Sequence, residues 1–231
     1  MPVPRYALYA IPRPETVLAQ FGASWLGWDV ESACAIESTR GMGLPPALHA
    51  AVTAEPRRYG FHGTLKPPFA LGDGASEAVL VEAVEHFARE RQPLSPLLLS
   101  LRALGGFLAL TPREPSPGLY ELAAECVSSL DRFRAPPEAA ELARRRRVGL
   151  SSGQEAMLAR WGYPYVMDEF RYHMTLTGTL GRPIRARVGE ALLAPLEAVL
   201  SEPLAIDDLV LCVEPQPLEG FRVLRRVPLG I

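Results

Sequence analysis

The chain has 231 residues, of which 48% are hydrophobic and 22% charged, and a formal net charge of −2. This usage excludes disordered, collagenous and coiled-coil chains, and the length is enough to bury a hydrophobic interior without covalent staples. The near-neutral charge provides no global positive field for holding a long nucleic acid, whereas a few local cations suffice for a small anion.

Arg5–Ile11 alternates and runs into Pro12, predicting a strand. Pro14–Leu26 predicts a helix, Cys34–Glu37 a short strand, and Pro45–Ala54 a helix opened by proline. Tyr59–Leu71 reads as a strand. Ser76–Arg91 is an amphipathic helix with Val79, Leu80, Ala83, Val84 and Phe87 on one face. Leu97–Leu104 and Phe107–Thr111 flank Gly105-Gly106 as a hairpin, and Pro112–Gly118 is a break near mid-chain. In the second half, Leu119–Phe133, Glu138–Val148 and Ser152–Trp161 read as helices and Phe170–Gly178 as a strand. Arg185–Leu200 is helical, and Ala205–Glu214 with Gly220–Pro228 forms a closing strand pair. Strands and helices mix in both halves, so the fold class is α+β.

The most informative feature is an internal match. Tyr59-Gly-Phe-His-Gly-Thr-Leu-Lys66 and Phe170-Arg-Tyr-His-Met-Thr-Leu-Thr177 share the frame aromatic-x-aromatic-His-x-Thr-Leu. A strand ending in proline precedes each copy, Leu8–Pro12 in one half and Leu108–Pro112 in the other. The repeat predicts one bilobal unit over 1–231, with similar lobes over about 1–112 and 113–231. Period-two alternation puts Tyr59, Phe61, Gly63 and Leu65, and Phe170, Tyr172, Met174 and Leu176, on core faces. Gly60, His62, Thr64 and Lys66, with Arg171, His173, Thr175 and Thr177, then share polar faces. Lys66 is the single lysine of a chain with 23 arginines.

In-line displacement at phosphorus has use for such a set. The attacking oxygen loses a proton as the leaving oxygen gains one, and two imidazoles near neutrality can act as general base and general acid, in either assignment. Thr64 and Thr175 can donate to non-bridging oxygens, and Lys66 and Arg171 can neutralise charge. Neither a metal nor another cofactor is required.

These paired His-x-Thr strands resemble the two-histidine phosphoesterase superfamily, which includes RNA 2′,3′-cyclic phosphodiesterases and 2′-5′ RNA ligase-like proteins. The chain is most similar to the branch associated with phosphonate-metabolism genes, often called DUF1045. The stretches that carry this are Tyr59–Phe69, Gly149–Ser151 through Trp161–Pro164, and Phe170–Gly178. The resemblance runs from Arg5 to the closing strand pair. It implies two antiparallel-rich sheets facing a central cleft with helices outside, and metal-independent hydrolysis, or reversible formation, of a cyclic phosphate or phosphodiester. By the same resemblance His62 and His173 are the acid/base pair, Thr64 and Thr175 bind phosphate, and the substrate is a small phosphorylated sugar or nucleotide such as a ribosyl cyclic phosphate. Segments such as Glu138–Val148 exceed the smallest RNA-acting members, which argues against an RNA substrate. Tyr59, Lys66 and Arg171 are further candidates for substrate contact. The rival readings are a non-catalytic nucleotide or phosphosugar sensor using the same cleft, and an RNA end-processing cyclic phosphodiesterase.

Weaker signals have plainer readings. Gly149-Leu-Ser-Ser-Gly153 has the letters of a nucleophile elbow, but Arg144–Arg147 stand where a hydrophobic strand is needed, so Ser152 with Glu155 reads as a helix cap. Gly41-Met42-Gly43 lacks a third glycine, since Pro46 occupies its place, and reads as a turn. Arg144–Arg147 reads as a solvated helix face, with binding of a second phosphate or a polynucleotide as the alternative. Trp161, Tyr163 and Tyr165 either line the cleft or pack the segment before the second motif. His49 and His86, among polar neighbours, receive no role. Cys34, Cys126 and Cys212 form no CxxC pair, so neither a zinc site nor a disulfide framework is expected. No uncharged apolar run approaches membrane-spanning length, and Met1–Pro14 lacks a leader pattern, so a cytoplasmic location is expected.

Overall fold

The structure is a computed structural model that describes residues 3–36 and 43–231. Glu37 of the predicted short strand, and Gly41-Met42 of the predicted turn, lie outside the described residues. The elements in chain order are β1 (Arg5–Ala10), α1 (Val17–Leu26), β2 (Trp28–Asp29), β3 (Cys34–Ala35), α2 (Pro46–Arg57), β4 (Gly63–Ala70) and α3 (Glu77–Arg89). Next come β5 (Leu94–Leu97), β6 (Leu99–Leu104), β7 (Phe107–Pro112), α4 (Pro117–Ser129), α5 (Ala139–Arg146) and α6 (Ser152–Trp161). The chain closes with β8 (Met174–Thr175), α7 (Arg182–Val199), β9 (Leu204–Ile206), β10 (Asp208–Glu214) and β11 (Arg222–Pro228). The fold is α+β with antiparallel pairing throughout.

Local chemistry sets the helix ends. The Thr16 hydroxyl accepts from the Ala19 amide, and Gly27 ends α1 in the left-handed region at φ 68°. Ser76 caps α3, whose buried stripe is Leu80, Val84, Phe87 and Ala88, whereas Val79 is half exposed. α6 opens on a capping box between Ser151 and Gln154, one residue earlier than the expected cap at Ser152. Here Ser151, and not Ser152, has the extended backbone that lets a side-chain oxygen reach the N3 amide.

Among the described residues the main sheet has seven strands in the order β11-β10-β1-β4-β8-β7-β6. The two strand sets expected to face a cleft are β11-β10-β1-β4 and β8-β7-β6. They join where β4 meets β8 through the single pair Gly63↔Met174. Strands do not sort by chain half, as a division at 112/113 would require. The hairpin β6–β7 belongs with β8, and the closing hairpin β10–β11 returns to pair with β1. The symmetry of the repeat survives at the centre. Each His-x-Thr strand lies beside a proline-ended strand, β4 beside β1 and β8 beside β7.

One face of the sheet carries the larger core. Leu8, Phe61, Leu65, Leu110, Met174 and Leu176 pack there against buried residues of α1, α3, α4 and α7, such as Trp25, Val84, Cys126 and Leu192. The opposite face holds a smaller cluster of Ala7, Tyr9, Ile11, Val30, Val210, Cys212 and Phe221, with Tyr59 against it. Burying apolar area on both faces fixes the register, because a one-residue slip would exchange the two sets. The three cysteines are unpaired. Among the described residues no helix is long and apolar enough to cross a membrane.

Two local irregularities matter for the site. On β4, Tyr9 pairs with Thr64 but Leu8 pairs with Lys66, so one step on β1 matches two on β4. Leu65 is the extra residue of a bulge, which turns Lys66 onto the helix-covered face. The predicted strand Phe170–Gly178 is regular only at Met174–Thr175. Beyond Thr175 the Thr177 hydroxyl accepts from the Leu108 amide at 3.0 Å, and the amides of Leu176 and Thr177 both donate to the Leu108 carbonyl. The side chain thus takes a ladder position that backbone would otherwise fill.

Candidate active site

The geometry begins at Gly63↔Met174, the residues immediately after the two histidines. Continuing that antiparallel register sets His62 across from Thr175 and His173 across from Thr64. Alternation then puts all four side chains on one face, and all four line one cavity of about 370 Å³. Gly63 is required there, since a Cβ would lie 2.2 Å from Cζ of Tyr172, whose ring fills that space.

The two imidazoles are held alike. Nδ1 of His62 lies 3.0 Å from the Gly60 carbonyl, and Nδ1 of His173 lies 2.7 Å from the Arg171 carbonyl, each two residues back. A carbonyl only accepts, so each Nδ1 carries the proton and each neutral ring keeps its lone pair on Nε2. Nε2 of His62 is 3.2 Å from the Thr64 hydroxyl, which donates to it in this tautomer. Gly60 sits at φ 71°, and that left-handed turn presents its carbonyl to the ring.

Aromatic rings pack against both histidines. Tyr9 of β1 stacks on His62 at 3.7 Å between centroids, and Phe107 of β7 lies 5.5 Å from His173. Burial pushes His62 down to about 4; the Gly60 carbonyl opposes this and the nearby His173 adds to it. Burial also lowers His173, against the Arg171 carbonyl.

Not every expected residue reaches this cavity. Lys66 does not: it is buried on the other face, where its Nζ donates to the Val127 carbonyl at 3.1 Å and lies 3.8 Å from Asp131. Burial, against the pull of Asp131, lowers it to about 8. The bulge at Leu65 is the cause. Arg171 is exposed and contributes only its carbonyl, because the chain joins the sheet at Met174 and strict alternation does not extend back to it. Tyr59, assigned to a core face by alternation, lines the cavity instead and stacks on Phe221 at 5.6 Å, since the turn at Gly60 breaks the strand period. Thr175 and Thr177 both line the cavity.

Tyr9 and Phe107 line the cavity without a motif of their own in the sequence, and the arginine run is divided between the cavity and the solvated face. Arg144 and Arg145 of α5 line the cavity, together with Tyr163, while Arg146 pairs with Glu155. Tyr165 and His86 are exposed, and His86 lies 3.5 Å from Glu90. His49 is buried, with its ring edge-on to Trp25. Among the described residues no group of three or more His, Cys, Asp or Glu side chains could hold a metal ion. The cavity therefore offers two neutral imidazoles, two hydroxyl donors beside them and cationic groups along one wall.

Known proteins share much of this chain. Two curated relatives carry the name ribose 1,5-bisphosphate phosphokinase PhnN. The protein from Janthinobacterium sp. (strain Marseille) is 39% identical over 97% of this chain and 50% of its own length. The one from Laribacter hongkongensis (strain HLHK9) is 36% identical over 96% of this chain and 51% of its own length. The chain thus spans about half the length of the curated relatives it matches. Among solved structures, E. coli LigT complexed with NADP+ aligns over 100% of both chains at 17% identity and a TM-score of 0.45. A phosphoesterase structure aligns over 100% of both chains at 18% identity and a TM-score of 0.46. A family model described as "Protein of unknown function (DUF1045)" matches residues 64–222, a span that begins two residues after His62 and takes in Thr64, His173 and Thr175. With more than half of its residues inside that model, the chain belongs to the DUF1045 family.

Proposed function

We propose that this chain is a metal-independent phosphoesterase of the two-histidine type, opening a cyclic phosphate or cleaving a phosphodiester on a small sugar or nucleotide. The observation that carries the reading is the Gly63↔Met174 pair, which sets two His-x-Thr copies head to tail on one wall of a shared cavity. Water attacks phosphorus, and one imidazole Nε2 takes its proton as the new P–O bond forms. The P–O bond to the leaving oxygen breaks, and the other histidine, entering the step protonated, donates its proton there. Thr64 and Thr175 donate hydrogen bonds to the non-bridging oxygens as charge builds on them. Tyr59 contributes a flat wall against the sugar or base. A ribosyl cyclic phosphate of phosphonate metabolism suits this site, and the ribose bisphosphate kinase name borne by the longer relatives fits a joined pair of activities on phosphorylated ribose.

The test is turnover of nucleoside 2′,3′-cyclic phosphates and ribose cyclic phosphates, with the monoester product followed by phosphorus NMR and chelator present throughout. His62→Ala and His173→Ala should each reduce kcat by about 10²- to 10⁴-fold while the circular dichroism spectrum is kept. Full activity in either variant refutes the acid/base pair. Binding without ring opening favours a sensor, and steeply salt-dependent binding of oligonucleotides favours an RNA end-processing enzyme.

A further inference from the structure

The charge on the cavity wall exceeds what the reacting phosphoryl group needs. Its lining holds three arginines, Arg5, Arg144 and Arg145, against one carboxylate, Glu55. Arg5 is answered elsewhere, by the buried carboxylate of Glu214. Arg144 and Arg145 instead share Glu141, at 3.8 and 2.5 Å, so two guanidinium groups stand on one carboxylate. Nε of Arg145 is buried without a hydrogen-bond partner. The Arg145 guanidinium lies over the Tyr163 ring, 4.5 Å from its centroid, which orients its planar fork before any ligand arrives. An unmatched donor in that position costs stability unless a ligand completes it.

Packing does not explain why α5 carries these groups here, because the helix buries no residue of its own. Arg144 also lines the open groove next to the catalytic cavity, so it stands at the passage between the two.

We propose that Arg144 and Arg145 form a second anion subsite in the catalytic cavity, so that the preferred substrate carries an additional phosphomonoester group away from the reacting phosphorus. The assignment rests on the phosphoesterase reading. Thr64, Thr175 and the protonated histidine meet the charge at the reacting centre, and the α5 arginines meet the remote dianion. Selectivity then arises from the substrate's charge pattern, since an analogue without the second phosphate leaves Nε of Arg145 without a partner.

The experiment compares adenosine 2′,3′-cyclic phosphate with its 5′-phosphorylated form. Expected is a kcat/KM about 10- to 100-fold higher for the phosphorylated compound, the range for charge-assisted hydrogen bonds. Arg145→Gln and Arg144→Gln should each shrink that ratio several-fold, by lowering kcat/KM for the phosphorylated compound more than for the unphosphorylated one. Arg147→Gln, outside the catalytic cavity, serves as the control on the same arm and should leave the ratio intact. Calorimetric binding of the same pair to His62→Ala protein reads the subsite without turnover. A ratio near one, a ratio unmoved by both glutamine variants, or binding of neither compound overturns the subsite. Loss of activity in His62→Ala with an unmoved ratio discards the subsite alone, whereas full activity in His62→Ala discards the phosphoesterase reading beneath it.

Discussion

The pH dependence of turnover follows from how the histidines are held. The proposed mechanism needs one neutral and one protonated imidazole in the free protein, and kcat/KM then tracks the fraction in that state. Burial pushes His62 to about 4, and His173 also lies below its ordinary value of 6.5. The limbs of the profile belong to the pair, because charge on one ring disfavours charge on the other. Both midpoints then fall below 6.5, so kcat/KM should peak between about 4 and 6.5. At pH 7.5 no more than about 10% of the molecules are correctly protonated, falling tenfold with each further pH unit. A diester substrate does not titrate in this range, so the profile reports the protein. The assay is steady-state kcat/KM from pH 4 to 9, with a thermal melt at each pH. The melts are needed because the unfolded chain takes up a proton near pH 6.5 that folded His62 refuses until about pH 4. Stability therefore falls as pH drops through that window, by at most about 1.4 kcal/mol per unit. An alkaline midpoint above 7.5 would refute the desolvation of the pair. As a second reading, His173→Ala should raise the midpoint of His62 seen by NMR, since it removes a neighbouring charge and admits water.

Two substitutions test the placement of residues around the pair. Lys66→Met should leave kcat/KM within threefold of wild type and not lower Tm at pH 7, because relieving the buried charge offsets the lost bond to Val127; a tenfold loss of activity would return Lys66 to the cleft. Gly63→Ala should cost about 1–3 kcal/mol in urea unfolding and at least tenfold in kcat/KM, because the new methyl meets Tyr172 at the junction of the strand sets; a variant as stable and active as wild type would show that this contact does not set the site.

Much of the site was legible because its information is local. Phe61, Leu65, Tyr172, Met174 and Leu176 are buried in the larger core as alternation requires, and His62, Thr64, His173 and Thr175 share the opposite face. Gly60 and Leu65 mark where that rule stops. A left-handed turn re-aims Tyr59, and one extra residue between paired positions carries Lys66 to the far side. The glycine at position 60 permits that turn without announcing it, and the bulge at Leu65 has no signature in a single sequence, since a bulge is set by the partner strand as much as by its own residues.

The sequence by itself determined the chemical vocabulary of this protein: two matched imidazole–hydroxyl strands, the helices that cover the larger core, and the α+β class. Those depend on periods of two and 3.6 residues and on short-range caps, which neighbouring residues encode. Tertiary structure alone decided which strands pair, that the two copies meet at one residue pair, and that Tyr9, Phe107 and the α5 arginines close around them. These contacts join residues far apart in the chain, and their energies come from the burial of surfaces that exist only once the sheet is assembled.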